Sequence, residues 1–282
     1  MDIQLADQRI FALNENFSLE QIRQRAMDRR TNAVAGGLGG LIQRPKSEEV
    51  LLVDSQKRFE PFWHVACLAR YVYDRSRKYN VAVSGPEVHE ITLHGEKYPV
   101  ADLGKGGCVV TLRVTEHCRE ESRQELFADA QTSTPLTDVA PLVRGAKIEI
   151  NDPHMLAAEG AIIVPPETRA SFVVRQLLNQ MLKPVQADAV HEESLILEAT
   201  DLYYRPVWAF EFHWKPKDKR GVVEFDGVTG QMRTSQSLMP RLTKMISRDA
   251  LFDLGADTVG MLIPGGNLAV KIAKVALDSK KQ

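Results

Sequence analysis

The stretch PFWHVACLARYVYD, residues 61–74, constrains the fold more than any other, because its apolar residues follow no helical period. As a strand it puts Trp63, Val65, Cys67, Ala69, Tyr71 and Tyr73 on one face. Phe62, His64, Ala66, Leu68, Arg70 and Val72 then share the other, since successive strand residues point oppositely. Its surroundings, residues 49–114, read as short strands divided by turns. The charged DRSRK is expected to turn the chain into YNVAVS, Gly85 and Pro86 follow, and His94 and Gly95 make a tight turn between VHEITL and KYPV. With CVVTLRV after a glycine cluster, the order is that of a β-meander.

Helical signals are fewer. Ser18 and Gln21 have capping-box spacing and open a helix to about Arg30, with Leu19, Ile22 and Ala26 on one side and Arg23, Arg25, Arg29 and Arg30 on a basic side. Gly36, Gly37, Gly39 and Gly40 then read as a hinge. The segment HCREESRQELFADA has helix-forming composition. In residues 165–184, Ala170, Val173, Val174, Leu177, Leu178 and Met181 recur at helical spacing between Pro166 and Pro184. ESLILEAT, LYYRPVWAFEFHW and GVVEFDG follow as strands, and the row Trp208, Phe210, Phe212, Trp214 is expected to pack on that helix.

With 282 residues, 44% of them hydrophobic and 26% charged, the chain is long enough for about two globular domains. The expected fold is α+β: two antiparallel strand-rich units, the second with one packed helix, plus N- and C-terminal helices. The expected division is an N-terminal helix and hinge over 1–45, a β-meander over 46–130, a connection over 131–160, a helix-plus-sheet unit over 161–236 and a helical tail over 237–282. Pro61-Phe62-Trp63 and Pro206-Val207-Trp208 each head a long strand, which suggests a duplicated hairpin and two pseudo-symmetric sheets.

An amphipathic helix followed by strands ending in VVEFDGVTGQM, with Asp226, Thr229 and Gly230 at the turn, resembles a PepSY-type or cystatin-like unit over residues 167–232. The turn has its own physical reason: Asp226 caps it through its side chain, and Gly230 takes a positive φ. What the resemblance implies is a sheet made for contact, without a catalytic set.

The chemistry-bearing residues give few motifs. A net charge of −1 supplies no basic field for polyanions, so only the Arg-rich first helix and its hinge could recruit nucleic acid locally. GKGG at residues 104–107 lacks the spacing of a phosphate loop. HEITLH sets His89 and His94 five apart, whereas two zinc ligands on one helical face need four. No Gly-x-Ser-x-Gly elbow exists. The metal alternative is a zinc or enzyme site in the first β domain at His64, Cys67, His117 and Cys118, with Cys108 nearby. His64 and Cys67 would face oppositely on one strand, so buried thiols are the expectation. Glu211, His213 and Asp226 form a conceivable acid–base cluster, with cross-strand surface pairing as the alternative.

The tail breaks at Pro264, Gly265 and Gly266 into two apolar-rich pieces. Leu268, Ile272 and Val275, flanked by Lys271 and Lys274, make a helix suited to docking on a partner protein, with membrane contact the weaker reading. The odd cysteine count and the missing leader signature suit a cytoplasmic protein. Together these features lead to the expectation of a non-catalytic adaptor that binds proteins through sheet surfaces and the tail.

Overall fold

The computed structural model of the chain describes residues 1–35, 45–102, 104, 107–182, 184–233 and 271–274. Strands β1 (Asp2–Leu5) and β2 (Gln8–Leu13) lead into helix α1 (Leu19–Ala35), followed by β3 (Val50–Val83), β4 (Glu90–Leu93), β5 (Glu96–Asp102) and β6 (Cys108–Asp129). The chain continues through α2 (Ala140–Val143), β7 (Lys147–Ile150), β8 (Ile162–Ile163) and α3 (Ala170–Met181). Last come β9 (Ala189–Trp214), β10 (Lys219–Asp226), β11 (Met232–Arg233) and β12 (Lys271–Lys274). The result is mixed α+β and mostly strand, one mixed sheet curled into a half-barrel.

The sheet runs in the order β11-β10-β9-β3-β6-β5-β4. Its spine is the antiparallel pair β3 and β9, paired from Val50↔Trp214 to Asp74↔Ala189 with register shifts after Leu52, Ala66 and Val72. The other edge of β9 receives β1 and β2 in parallel and then β10 antiparallel. Strands expected in two units therefore share one sheet. The segments headed by Pro61 and Pro206 are direct neighbours, with Phe59 opposite Pro206, and the described residues give no evidence of duplicated units.

The alternation along residues 63–73 is realised as written. Trp63, Val65, Cys67, Ala69, Tyr71 and Tyr73 are buried in one core with Ala170, Val173, Val174, Leu177, Leu178 and Met181 of α3. The Trp63 indole N–H donates to the Thr168 carbonyl at 2.8 Å, satisfying a polar atom that burial would otherwise strand. Reciprocal bonds between Ser18 and Gln21 start α1, which runs on to Ala35. The row Phe210, Phe212 and Trp214 packs on Ile22, Ala26 and Val34 of α1 and not on α3, because curling of the sheet separates the two ends of β9 and gives each its own helix. Gly36, Gly37, Gly39 and Gly40 lie outside the described residues.

Three further expectations are corrected. DRSRK does not turn the chain: β3 passes straight through it to Val83, and the turn falls at Gly85, where φ is +103°. HCREESRQELFADA is strand, because β6 pairs with β3 residue for residue from Phe62↔Asp129 to Val83↔Cys108. Charges of β6 meet partners across strands, Glu121 with Arg70 at 2.8 Å and Glu116 with Arg75 at 2.5 Å. Finally, Lys271–Lys274 is a strand paired in parallel with β1 and not a helix; an unpaired strand edge takes extended backbone readily.

Candidate functional site

Beyond Asp74, β3 has no β9 beside it, and β3 and β6 continue as a ribbon to Val83 and Cys108. Val100↔Val110 brings β5 onto β6, and the β4–β5 hairpin closes through His94 and Gly95 with φ of 51° and 87°, the two positive values a tight hairpin turn needs. The product is a four-stranded arm standing off the body. The register puts Tyr79, Val81 and Val83 on one face with Leu112, Val110 and Cys108 opposite them. Tyr98 and Val100 of β5 and Ile91 and Leu93 of β4 extend the same face. Its back carries Lys78, Asn80, Thr111 and Arg113.

This apolar face continues the face that α3 covers in the body, since Tyr73 in the α3 core and Tyr79 on the arm have the same strand parity. On the arm, Tyr79 is 49% exposed, Val81 45% and Leu93 40%. The Tyr79 hydroxyl donates to Glu116, and that bond, with Arg75 second, holds the Glu116 carboxyl below the usual carboxylate range. Between body and arm lies a cleft of about 640 Å³ lined by Tyr71, Tyr73, Arg75 and Glu120 from the sheet, Met181 at the end of α3 and Val185 beyond it.

On the opposite face, three strands are joined at the root of the arm. His117 Nδ1 lies 2.7 Å from one Asp74 oxygen and His191 Nε2 2.8 Å from the other. His191, then His117, lower the Asp74 carboxyl from its ordinary value. Further along that face Arg9 grips Asp201 through two bonds of 3.1 Å. His64 lies between Glu125, at 3.3 Å, and Asp201, at 3.9 Å, stacked on Phe127 with its Nδ1 buried and without a hydrogen-bond partner. Lys147 Nζ donates to the Tyr203 hydroxyl at 2.9 Å, and burial lowers the lysine and raises the tyrosine. The adjoining cavity of about 430 Å³ is lined by His64, Arg123, Glu125, Arg144 and Glu198 among others, and none of its lining residues carries a hydroxyl, thiol or amine nucleophile.

The four residues of the metal alternative are not brought together. Cys67 is fully buried on the α3 side, where burial, then Glu198, push its thiol up to about 12, while His64 is on the other face. His117 is bound to Asp74, and Cys118 is partly buried opposite Tyr73. Among the described residues no group of three or more His, Cys, Asp or Glu is arranged to hold a metal ion. Glu211, His213 and Asp226 are likewise separate: Glu211 pairs with Arg220 at 3.0 Å, His213 with Asp218 at 2.7 Å, and buried Asp226 with Arg205. Asp226 also caps its turn by accepting from the N–H groups of Val228 and Thr229, with Gly230 at φ +66°.

The basic side of α1 is partly tied down, Arg25 donating to the Gly230 carbonyl at 2.6 Å and Arg30 to that of Ser47 at 3.0 Å. Of the tail residues, Lys271, Ile272 and Lys274 fall in β12, and Leu268 and Val275 lie outside the described residues. The arm face and the Arg9–Asp201–His64 cluster were missed in the sequence. YNVAVS and CVVTLRV were legible as strands, but nothing local shows which face stays open, and Arg9 meets Asp201 across 192 positions of chain. No family model, curated protein or solved structure matches the chain. Among the described residues no helix is long and apolar enough to cross a membrane.

Proposed function

We propose that this is a non-catalytic protein-interaction protein whose docking element is the arm, and that the ligand of the arm is a protein surface with an apolar strip. One observation carries the reading: a sheet face covered by a helix in the body continues onto the arm with Tyr79, Val81 and Leu93 open. Large apolar side chains left exposed on one sheet face of a stable fold mark a contact site. The resemblance of residues 167–232 to a PepSY-type module, a class whose sheets serve contact, agrees with it. The buried ionic groups of the opposite face, Arg58 with Glu224 and Arg205 with Asp226, are paired with each other, so neither member is left as an uncompensated buried charge.

The test places a photo-crosslinking amino acid at Val81, and separately at Thr111 on the back of the arm, in the full chain expressed in its own host. Protein adducts from Val81 and none from Thr111 are expected. Equal adducts from both positions, or none from Val81, would defeat the assignment.

A further inference from the structure

We infer that the free edge of β6 over residues 119–125 binds an extended segment of another protein, which adds to the sheet as one more strand with apolar residues at alternate positions. This contact goes beyond the open face of the arm and stands on separate observations.

The backbone supplies the first. β6 pairs with β3 without a register shift, so every second residue turns its N–H and C=O away from β3. Asp129 and Phe127 show which residues these are: the Asp129 N–H donates outward to the Thr134 carbonyl at 2.9 Å, and the Phe127 carbonyl accepts from Leu136 at 2.8 Å. Odd-numbered residues therefore point outward. Toward the arm, Val109 is met by Ala101 of β5. Between Arg113 and Glu125 no described strand lies beside this edge. The run holds neither a proline nor a bulge, two devices that commonly blunt an edge.

The second observation is space. Residues 119–125 are all exposed, on both faces of the strand, although α3 buries Cys67, Ala69 and Tyr71 on β3 beside them. The cleft of about 640 Å³ opens along Glu120, Ser122 and Gln124 on the α3 side, and the cavity of about 430 Å³ along Arg123 and Glu125 on the other. An added strand meets the outward N–H and C=O groups of Arg119, Glu121, Arg123 and Glu125, and its side chains alternate between the two faces. Those on the α3 side enter the cleft against Tyr71, Met181 and Val185, which favours apolar residues. Those on the other side lie beside Arg119, Glu121 and Arg123, which favours polar ones.

A second copy of β6 is a poorer occupant. A two-fold axis at Arg119, Glu120, Glu121 or Arg123 opposes like charges, and an axis at Ser122 or Gln124 carries the mate's strand onto Leu136, which already lies beside Phe127.

A phage-displayed library of random ten-residue peptides, panned on the full chain, supplies the probe. Enriched peptides are expected to alternate apolar and polar residues. A synthetic one is expected to slow hydrogen exchange severalfold or more at the amides of Arg119, Glu121 and Arg123, and to leave those of Glu120 and Ser122, which point to β3, unchanged. Arg123→Pro removes one outward N–H without touching a bond to β3, and is expected to weaken the peptide about tenfold or more. An unchanged circular dichroism spectrum and melting temperature will show that this variant is folded, and the exchange pattern decides on the natural chain even where it is not. Val81→Glu is expected to leave the peptide bound. The inference is overturned by no enriched peptide, by protection that falls equally on odd and even residues, by a folded Arg123→Pro that binds as the natural chain does, or by binding lost through Val81→Glu. Absence of adducts from Val81 would defeat the arm and leave the edge standing; failure of the peptide would do the reverse.

Discussion

Gly221 on β10 and Ala33 on α1 lie in such close approach that a Cβ on the glycine would overlap the Ala33 carbonyl and its neighbours. The missing side chain lets α1 settle onto Phe210, Phe212 and Trp214. Both groups that would have to yield are backbone, so relief requires moving the helix. Gly221→Ala is therefore expected to cost about 1–3 kcal/mol by overpacking, read as a lower urea midpoint at unchanged slope. An alanine variant as stable as the natural chain would show that α1 rides higher on the sheet.

Trp63 is buried completely where α3 crosses the spine of the sheet, with its indole N–H bonded to Thr168. Trp63→Ala is expected to lose about 3–5 kcal/mol. Trp63→Phe should retain most of the packing but leave the Thr168 carbonyl without its donor, costing about 1–3 kcal/mol. Denaturant titration of the two variants separates packing from the hydrogen bond.

Much of the body was legible because it depends on local periods. The two-residue period along 63–73 and the helical period along 170–181 each select one face, and those faces meet in a single core. The charged stretches misled for a common reason. DRSRK and HCREESRQELFADA carry charges on both faces, which in an isolated segment suggests a turn or a helix. Here they are the two rails of one ribbon, and Arg70, Arg75, Glu116 and Glu121 find each other only across it. Pairing between positions 41 and 51 apart leaves no periodic trace in either segment. The candidate site depends on such pairing throughout: the open face of the arm exists because β9 begins at Ala189 and accompanies β3 only as far as Asp74.

The three cysteines should separate sharply in reactivity. Burial raises the Cys67 thiol to about 12, so its thiolate is scarce at any pH the fold tolerates, and the surrounding core denies reagent access. Cys108 and Cys118 are partly exposed. Alkylation of the native chain at about pH 8, followed by peptide mass spectrometry, is expected to label Cys108 and Cys118 and to reach Cys67 only after unfolding. Early labelling of Cys67 would contradict the packing of α3 on β3.

Asp74 makes stability depend on acid in a predictable direction. His191 and His117 hold its carboxyl below the ordinary value, so the native state binds that proton less tightly than the unfolded chain does. The contribution is in place above about pH 4 and disappears as pH falls through the depressed native value. Asp74→Asn should therefore be less stable than the natural chain at about pH 6, with the difference closing at about pH 2–3. Urea midpoints across that range check it; a difference that stays constant would mean the carboxylate has no special role at the root of the arm.

The most direct test of the docking arm is hydroxyl-radical footprinting of Tyr79 in intact host cells, compared with the purified chain at high dilution. Tyr79 is 49% exposed on the free arm and should react readily there. If the arm is covered by protein in the cell, its modification falls severalfold; equal modification in both settings would contradict the proposed function.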